Sequence, residues 1–226
     1  MKKRTAFLGA ILSLIPLGQP LIIKTVAGLS TAGLLPSISE KVYAGDNSYY
    51  FNSAFEKAKE GDHYGAISDY TKAIEIDPKD DFAYHNRGVS RESLGKCYEA
   101  ISDYMKAIEI KSDRPTSYHG IGYCKSELGD YEGAKIAFSK AIEIDPKYSS
   151  AYFNRGYARD ELKDYYGAIS DYTKAIKINP NDKSAYKNRG IAKQKIGDLN
   201  GACSDWRQTV FLFPNDAAAK WVRDQC

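Results

Sequence analysis

Cysteine and histidine are scarce in this chain, four and three among 226 residues. No two cysteines stand closer than 23 positions apart. That spacing excludes zinc fingers, CxxC redox motifs and dense disulfide scaffolds. Neither sign of charge dominates: 32 Lys and Arg against 29 Asp and Glu give +3, too little to advertise a nucleic-acid surface. Nucleophile motifs, glycine-rich phosphate loops and HExxH helices are all missing, so no catalytic residue, metal or cofactor is expected and the chain does not read as an enzyme. With 43% hydrophobic and 27% charged residues, the composition is that of a folded globular protein.

The small basic excess is local. Residues 1–44 hold Lys2, Lys3, Arg4, Lys24 and Lys41 against Glu40 alone, which leaves 27 basic and 28 acidic residues beyond them. The basic opening runs into an apolar stretch from Ala6 to Leu17, a second mildly apolar stretch spans Thr25 to Ile38, and Val42-Tyr43-Ala44 follows. Small residues at −3 and −1 mark a signal-peptidase site, so residues 1–44 are expected to be an export signal cleaved after Ala44. The rival expectation is an uncleaved anchor through Ala6 to Ile23, weakened by Gly9, Pro16, Gly18 and Pro20. The positive-inside rule exports the remainder either way, to a periplasm or a thylakoid lumen, with the membrane touched only through an uncleaved leader.

From residue 47 onward the chain repeats itself. Segments starting at Asn47, Asp81, Pro115, Ser149 and Lys183 superimpose without a gap at a period of 34, defining units 47–80, 81–114, 115–148, 149–182 and 183–216. Each unit predicts two helices. Between them stand Glu60-Gly61-Asp62, Leu94-Gly95-Lys96, Leu128-Gly129-Asp130, Leu162-Lys163-Asp164 and Ile196-Gly197-Asp198, where glycine supplies a left-handed helix end and Asp opens the next helix. Lys163 breaks that rule. Pro78, Pro146, Pro180 and Pro214 end the units, whereas the second has Ser112 with Pro115 opening the helix after it.

These units resemble the tetratricopeptide repeat family. The fourth residue is always Tyr, the eighth is Ala54, Gly88, Gly122, Gly156 or Gly190, and the twentieth is always Ala. The twenty-fourth is Tyr70, Tyr104, Phe138, Tyr172 or Trp206, and the twenty-seventh is Ala73, Ala107, Ala141, Ala175 or Thr209. The resemblance implies an all-α solenoid of five helix-turn-helix repeats, with residues 217–226 as a capping helix over the last apolar face. The seventh residue is Arg87, Arg155 and Arg189 where the twenty-third is Asp103, Asp171 and Asp205, but Ile121 where it is Ala137. Structural ion pairs between the two helices of a unit account for that co-variation.

In this family the fifth and ninth residues of each first helix commonly face the binding groove. Here they are Phe51, His85, His119, Phe153 and Lys187, and Phe55, Val89, Tyr123, Tyr157 and Ile191. Such a stripe suits an extended peptide or an amphipathic helix, so the expected function is a non-enzymatic protein-binding adaptor or assembly scaffold. Some of these rings are alternatively read as packing between repeats. Glu92, Glu127, Asp160 and Glu161 make the centre acidic, favouring a ligand with basic residues beside apolar anchors, while Lys59, Lys187 and Lys195 lie towards the ends. The carboxylate clamp of chaperone-binding members is not expected, because the fifth place is mostly aromatic and the ninth always apolar. Remaining alternatives are a periplasmic enzyme or small-ligand carrier using the groove His and Tyr residues, and self-association. His85 and His119 fall on adjacent first helices, about 10 Å apart on helix spacing, too far to share a metal. The Tyr-x-Asn-Arg-Gly and Ala-Ile-Ser-Asp-Tyr signatures are similar to repeat proteins of bacteria, cyanobacteria especially.

The repeat register also pairs the cysteines. Cys97 and Cys203 fall near the starts of second helices, and Cys124 and Cys226 in the tenth place of the following first helix, so Cys97–Cys124 and Cys203–Cys226 bridges are expected in an oxidising compartment. Four separately buried thiols are the alternative. For the leader, amino-terminal sequencing of the exported chain is expected to start at Gly45; an intact chain in the cytosol would overturn the export reading.

Overall fold

The computed structural model describes residues 46–212, 222–224 and 226. The expected leader and most of the expected cap lie outside these residues. Ten helices follow in strict alternation among the described residues: α1 Asn47–Lys59, α2 His63–Ile76, α3 Asp81–Ser93, α4 Cys97–Ile110, α5 Pro115–Glu127, α6 Tyr131–Ile144, α7 Ser149–Glu161, α8 Tyr165–Ile178, α9 Lys183–Lys195 and α10 Leu199–Leu212. Every first helix has 13 residues and every second one 14. Residues 222–224 are helical as well. No described helix is long and apolar enough to cross a membrane.

Local chemistry explains the boundaries. Asp62, Asp130, Asp164 and Asp198 each accept a hydrogen bond from the backbone N–H three residues on, satisfying a donor that the first turn leaves over. The preceding first helices end through a left-handed residue, a glycine at four of the five turns. At the fifth, Lys163 adopts φ 63° itself. The turn is therefore fixed by the packing of the helices it joins and not by glycine alone.

Each helix packs on its neighbours in sequence, and successive first helices also touch more than successive second helices do, so the stack bends with the first helices on its inner wall. The space between the two helices of a unit is filled by the ring at the twenty-fourth position. Tyr70, Tyr104, Phe138, Tyr172 and Trp206 are all buried, as are Ala66, Ala100, Ala134, Ala168 and Ala202 one turn before them on the same helix, and the last four rings lie against Gly88, Gly122, Gly156 and Gly190 of the first helix.

A second fixture is ionic. Arg87 grips Asp103 with two nitrogens at 3.0 and 2.7 Å, and its third nitrogen donates to Thr71 of the unit before, at 3.0 Å. Arg155 does the same to Asp171 and Ser139, and Arg189 to Asp205 and Thr173. Each arginine thus joins three helices and also lies over the Tyr three residues before it, Tyr84, Tyr152 or Tyr186. A second cation from the eleventh position completes the carboxylate's shell: Arg91 at 2.6 Å, Arg159 at 2.8 Å and Lys193 at 2.9 Å. In the first unit Lys57 and Ser53 serve Asp69. The third unit has Ile121 and Ala137 in place of the pair, and there Lys125 turns to Asp130 at 2.9 Å.

A buried carboxylate is tolerated only while its partners remain, and the converse holds for the arginines. Asp171→Ala is expected to cost roughly 3–5 kcal/mol in denaturant unfolding, because Arg155 and Arg159 lose their common partner. The combined change Arg155→Ile with Asp171→Ala copies the third unit and leaves Arg159 the nearby Asp164 at 3.6 Å, so it is expected to recover most of that loss. Equal stability of the two variants would overturn this account.

Candidate protein-binding groove

The first helix of each unit carries its fifth and ninth residues one turn apart, and the structure separates their roles. The fifth-place rings lean on the core ring of their own unit: Phe51 on Tyr70 at 5.5 Å between centroids, His85 on Tyr104 at 5.5 Å, His119 on Phe138 at 5.4 Å and Phe153 on Tyr172 at 5.6 Å. They are half-buried wedges, and Lys187 and Ile191 are half-buried too. The ninth-place side chains Phe55, Val89, Tyr123 and Tyr157 reach the surface, Tyr123 and Tyr157 each 39% exposed. The fifth-place rings, expected to face the groove, thus pack on core rings, and Phe153 also lines a cavity between α5 and α7.

Both groove histidines are committed to the fold. His85 Nδ1 lies 2.8 Å from Ser117 Oγ, and the Asn154 side-chain amide lies 2.9 Å from His119 Nε2. The His119 ring also meets Tyr148 at 5.1 Å. Burial pushes both imidazoles down to about 4, helped at His85 by the Arg114 charge and opposed there by Asp81. Neither is placed as a proton donor at neutral pH, and among the described residues no cluster of three or more metal-ligating side chains occurs.

Acidic groups concentrate towards the middle of the wall. Glu92 accepts a hydrogen bond from the Tyr104 hydroxyl at 2.7 Å. Burial raises its carboxyl above the ordinary carboxylate range, the Tyr104 hydrogen bond acts against that shift, and the Glu127 charge adds to it. Tyr123 is raised chiefly by the Glu127 charge. Asp160 is neutralised by Lys195 of the next unit at 2.8 Å. The expected four-residue acidic centre thus contracts to Glu92, Glu127 and Glu161. Lys59 bonds Glu56 and lies over the Phe55 ring. Between α5 and α7 opens a cavity of about 300 Å³ with Tyr123, Phe138, Phe153 and Tyr157 as its rings and Ser126, Glu127, Asn154 and Asn188 as its polar groups. Sequence reasoning passed over Ser126 and the role of Asn154 and Asn188, although the recurring sixth-place Asn was a visible signal.

The cysteines divide. Cys203 and Cys226 are joined, with Cα atoms 5.7 Å apart, which ties the chain end to α10. Cys97 and Cys124, expected as a second bridge, are both buried thiols in one apolar cluster with Tyr104 and Ile121. Burial, together with the adjoining Cys97, raises the Cys124 thiol well above its ordinary range. It stays protonated, and the protonated thiol does not attack a disulfide.

Tetratricopeptide repeat models match residues 48–80, 83–114, 115–148 and 149–182. The chain belongs to the tetratricopeptide repeat family. Over residues 183–212, α9 and α10 repeat the helix-pair geometry of the four units before them. No curated protein sequence matches the chain. Solved structures similar to it include a MamA protein, 23% identical with TM-score 0.70, covering 80% of this chain and 96% of that one. YrrB, described as a TPR protein with an unusual peptide-binding site, is 18% identical with TM-score 0.69 over 82% and 95% of the two chains. MamA from Desulfovibrio magneticus RS-1 is 16% identical with TM-score 0.71 over 76% and 97%. At these identities the likeness concerns the tetratricopeptide fold.

The histidines give this repeat domain a calculable response to acid. The unfolded chain takes up their protons near pH 6.5, the folded chain only near 4. Stability is therefore level above about pH 6.5 and falls as pH drops through that window, by roughly 2–3 kcal/mol for each histidine. His85→Phe with His119→Phe, which places at both sites the residue found at Phe51 and Phe153, is expected to flatten this part of a melting-temperature profile between pH 7 and 4. An unchanged slope would overturn the assignment.

Proposed function

We propose that the protein is an exported, non-enzymatic adaptor or assembly scaffold that binds a protein segment along the inner wall of its repeats. The observation that carries this reading is the pair Tyr123 and Tyr157. Two large rings stand partly free on adjacent first helices beside a cavity that no side chain of the described residues fills. Amphipathic rings of this kind give much contact area at small entropic cost. The Cys203–Cys226 bridge supports export, since structural disulfides persist in oxidising compartments. YrrB, a TPR protein with an unusual peptide-binding site, shares this fold, and that likeness supports a similar use of this protein.

Tyr123→Ala with Tyr157→Ala tests the reading without touching the core, unlike changes at Phe153 or His119, whose rings pack on Tyr172 and Phe138. A partner held by the wild-type chain in affinity capture from the exported compartment is expected to be lost by this variant while its helical circular dichroism is kept. Equal retention of the partner would exclude the inner wall.

A further inference from the structure

The twelfth place of the first helix differs from unit to unit, and the difference shapes the wall. In the second unit Glu92 stands there and accepts a hydrogen bond from the Tyr104 hydroxyl at 2.7 Å. In the fourth, the Asp160 carboxylate stands near the Tyr172 phenol, and its charge adds to burial in holding that phenol protonated. The third unit has Ser126 and Phe138 in these two places. A phenylalanine brings no hydroxyl and a serine is shorter than either acid, so the space that phenol and carboxylate occupy in the sister units stays open. Both residues line the cavity of about 300 Å³ between α5 and α7. The Ser126 hydroxyl is buried there and bonds no described residue. A buried polar group of this kind calls for a partner.

The rest of the lining narrows what that partner is. Glu127 also faces the cavity, and among the described residues no cation pairs with it. Lys125 on the same helix is held by Asp130 at 2.9 Å. The Asn154 amide is engaged by His119 and the Asn188 amide by Tyr172, so both serve the fold. What the cavity offers a visitor is therefore the rings of Tyr123 and Tyr157, the carboxylate of Glu127 and the hydroxyl of Ser126.

Ring, carboxylate and hydroxyl already occur together three times in this protein, each time around an arginine. Arg87 lies over Tyr84, grips Asp103 and donates to the Thr71 hydroxyl. Arg155 has Tyr152, Asp171 and Ser139, and Arg189 has Tyr186, Asp205 and Thr173. The set suits a guanidinium because its planar fork donates in several directions while its face stacks on a ring. An ammonium has neither the plane nor the fork. In the cavity the same three groups stand together without an arginine.

We propose that the cavity between α5 and α7 is a socket for a single arginine side chain of the partner protein, its stem and plane against Tyr123 and Tyr157 and its guanidinium bonded to Glu127 and Ser126. This rests on the adaptor reading and names the partner's anchor on the same wall.

The probe is N-acetyl-arginine amide, titrated into the isotope-labelled full chain and followed by amide chemical shifts. N-acetyl-lysine amide and N-acetyl-citrulline amide are the controls, since citrulline keeps the planar shape and loses the charge. Shifts are expected to move around Ser126, Glu127 and Tyr157, with the arginine probe binding at least about fivefold tighter than either control. Glu127→Gln is expected to weaken it about fivefold, as loss of a partly exposed charge pair does. Phe138→Tyr, whose hydroxyl gives Ser126 the bond that Tyr104 gives Glu92, is expected to weaken it about threefold. Glu161→Gln, on the same wall but outside the cavity lining, is expected to leave it within about twofold at physiological salt. Equal binding of the three probes, no loss with Glu127→Gln, or shifts confined to other helices overturns the inference. If the socket fails in one of these ways while Tyr123→Ala with Tyr157→Ala still loses the captured partner, the adaptor reading stands without it. Retention of the partner by that double variant overturns both, because no partner chain then brings an arginine to this wall.

Discussion

The ring at the twenty-fourth place of each unit is the contact on which everything else depends. Five such rings are buried, each removing roughly 150–250 Å² from water, about 4–6 kcal/mol before the cost of ordering it. They fit only because the facing helix withdraws. A Cβ added at Gly88 would stand 2.9 Å from the Tyr104 ring, and one at Gly190 2.4 Å from Trp206. Once the ring is seated, the fifth residue of the first helix has no choice but to lean on it. The ninth residue, one turn further along, is then the first that can reach solvent. The depth of the inner wall is a consequence of core packing.

The ionic fixture obeys the same logic of linked positions. Arginine at the seventh place needs a carboxylate within its unit and a hydroxyl on the unit before, and all three change together. Where Ile121 replaces the arginine and Ala137 the carboxylate, the preceding unit offers Met105 where Thr71, Ser139 and Thr173 stand beneath the other arginines. The junction of the second and third units is accordingly an apolar seam, and it is where the two thiols Cys97 and Cys124 are buried. The same linker lacks the proline that closes the other units, and Arg114 there bonds Asp81 and stacks on Phe82. One junction has exchanged a polar joint for an apolar one, and neighbouring positions follow.

The fold was legible because its signal is redundant: a period of 34 repeated five times fixes helix pairing, core and turn positions even where one unit departs, as at Lys163. The Arg–Asp pairs were legible for the same reason, since repeats of one chain serve as each other's controls. The groove was read less well. Which of two residues on one helical face is wedge and which is contact depends on a ring nineteen positions later on another helix, and no local pattern carries that. Glu92 illustrates the point. Its place is set by Tyr104, whose hydroxyl reaches it because the third unit has Gly120 where the other four have Asn. The cysteines show the limit from another side: register brings the side chains of Cys97 and Cys124 together, but whether a bond forms depends on burial and protonation.

The same register argument also bounds the wall. In units two to five the third and tenth residues of the first helix are small and buried against the second helix of the unit before: Ala83, Ser117, Ala151 and Ala185, then Ser90, Cys124, Ala158 and Ala192. In α1 these places hold Tyr49, 44% exposed, and the exposed Glu56. A large ring and a carboxylate make that face unfit to receive another helix pair of the same design, since close helix packing requires small residues at the contact. At the other end the Cys203–Cys226 bond fastens the chain terminus onto α10. End-to-end stacking of copies therefore finds no matching face at α1, and the described inner wall runs along five first helices. At about 8–10 Å per unit and about 3.3 Å per extended residue, it has room for a bound segment of roughly 12–15 residues. That length would span the three central glutamates, with Phe55 and Ile191 towards the two ends of the wall.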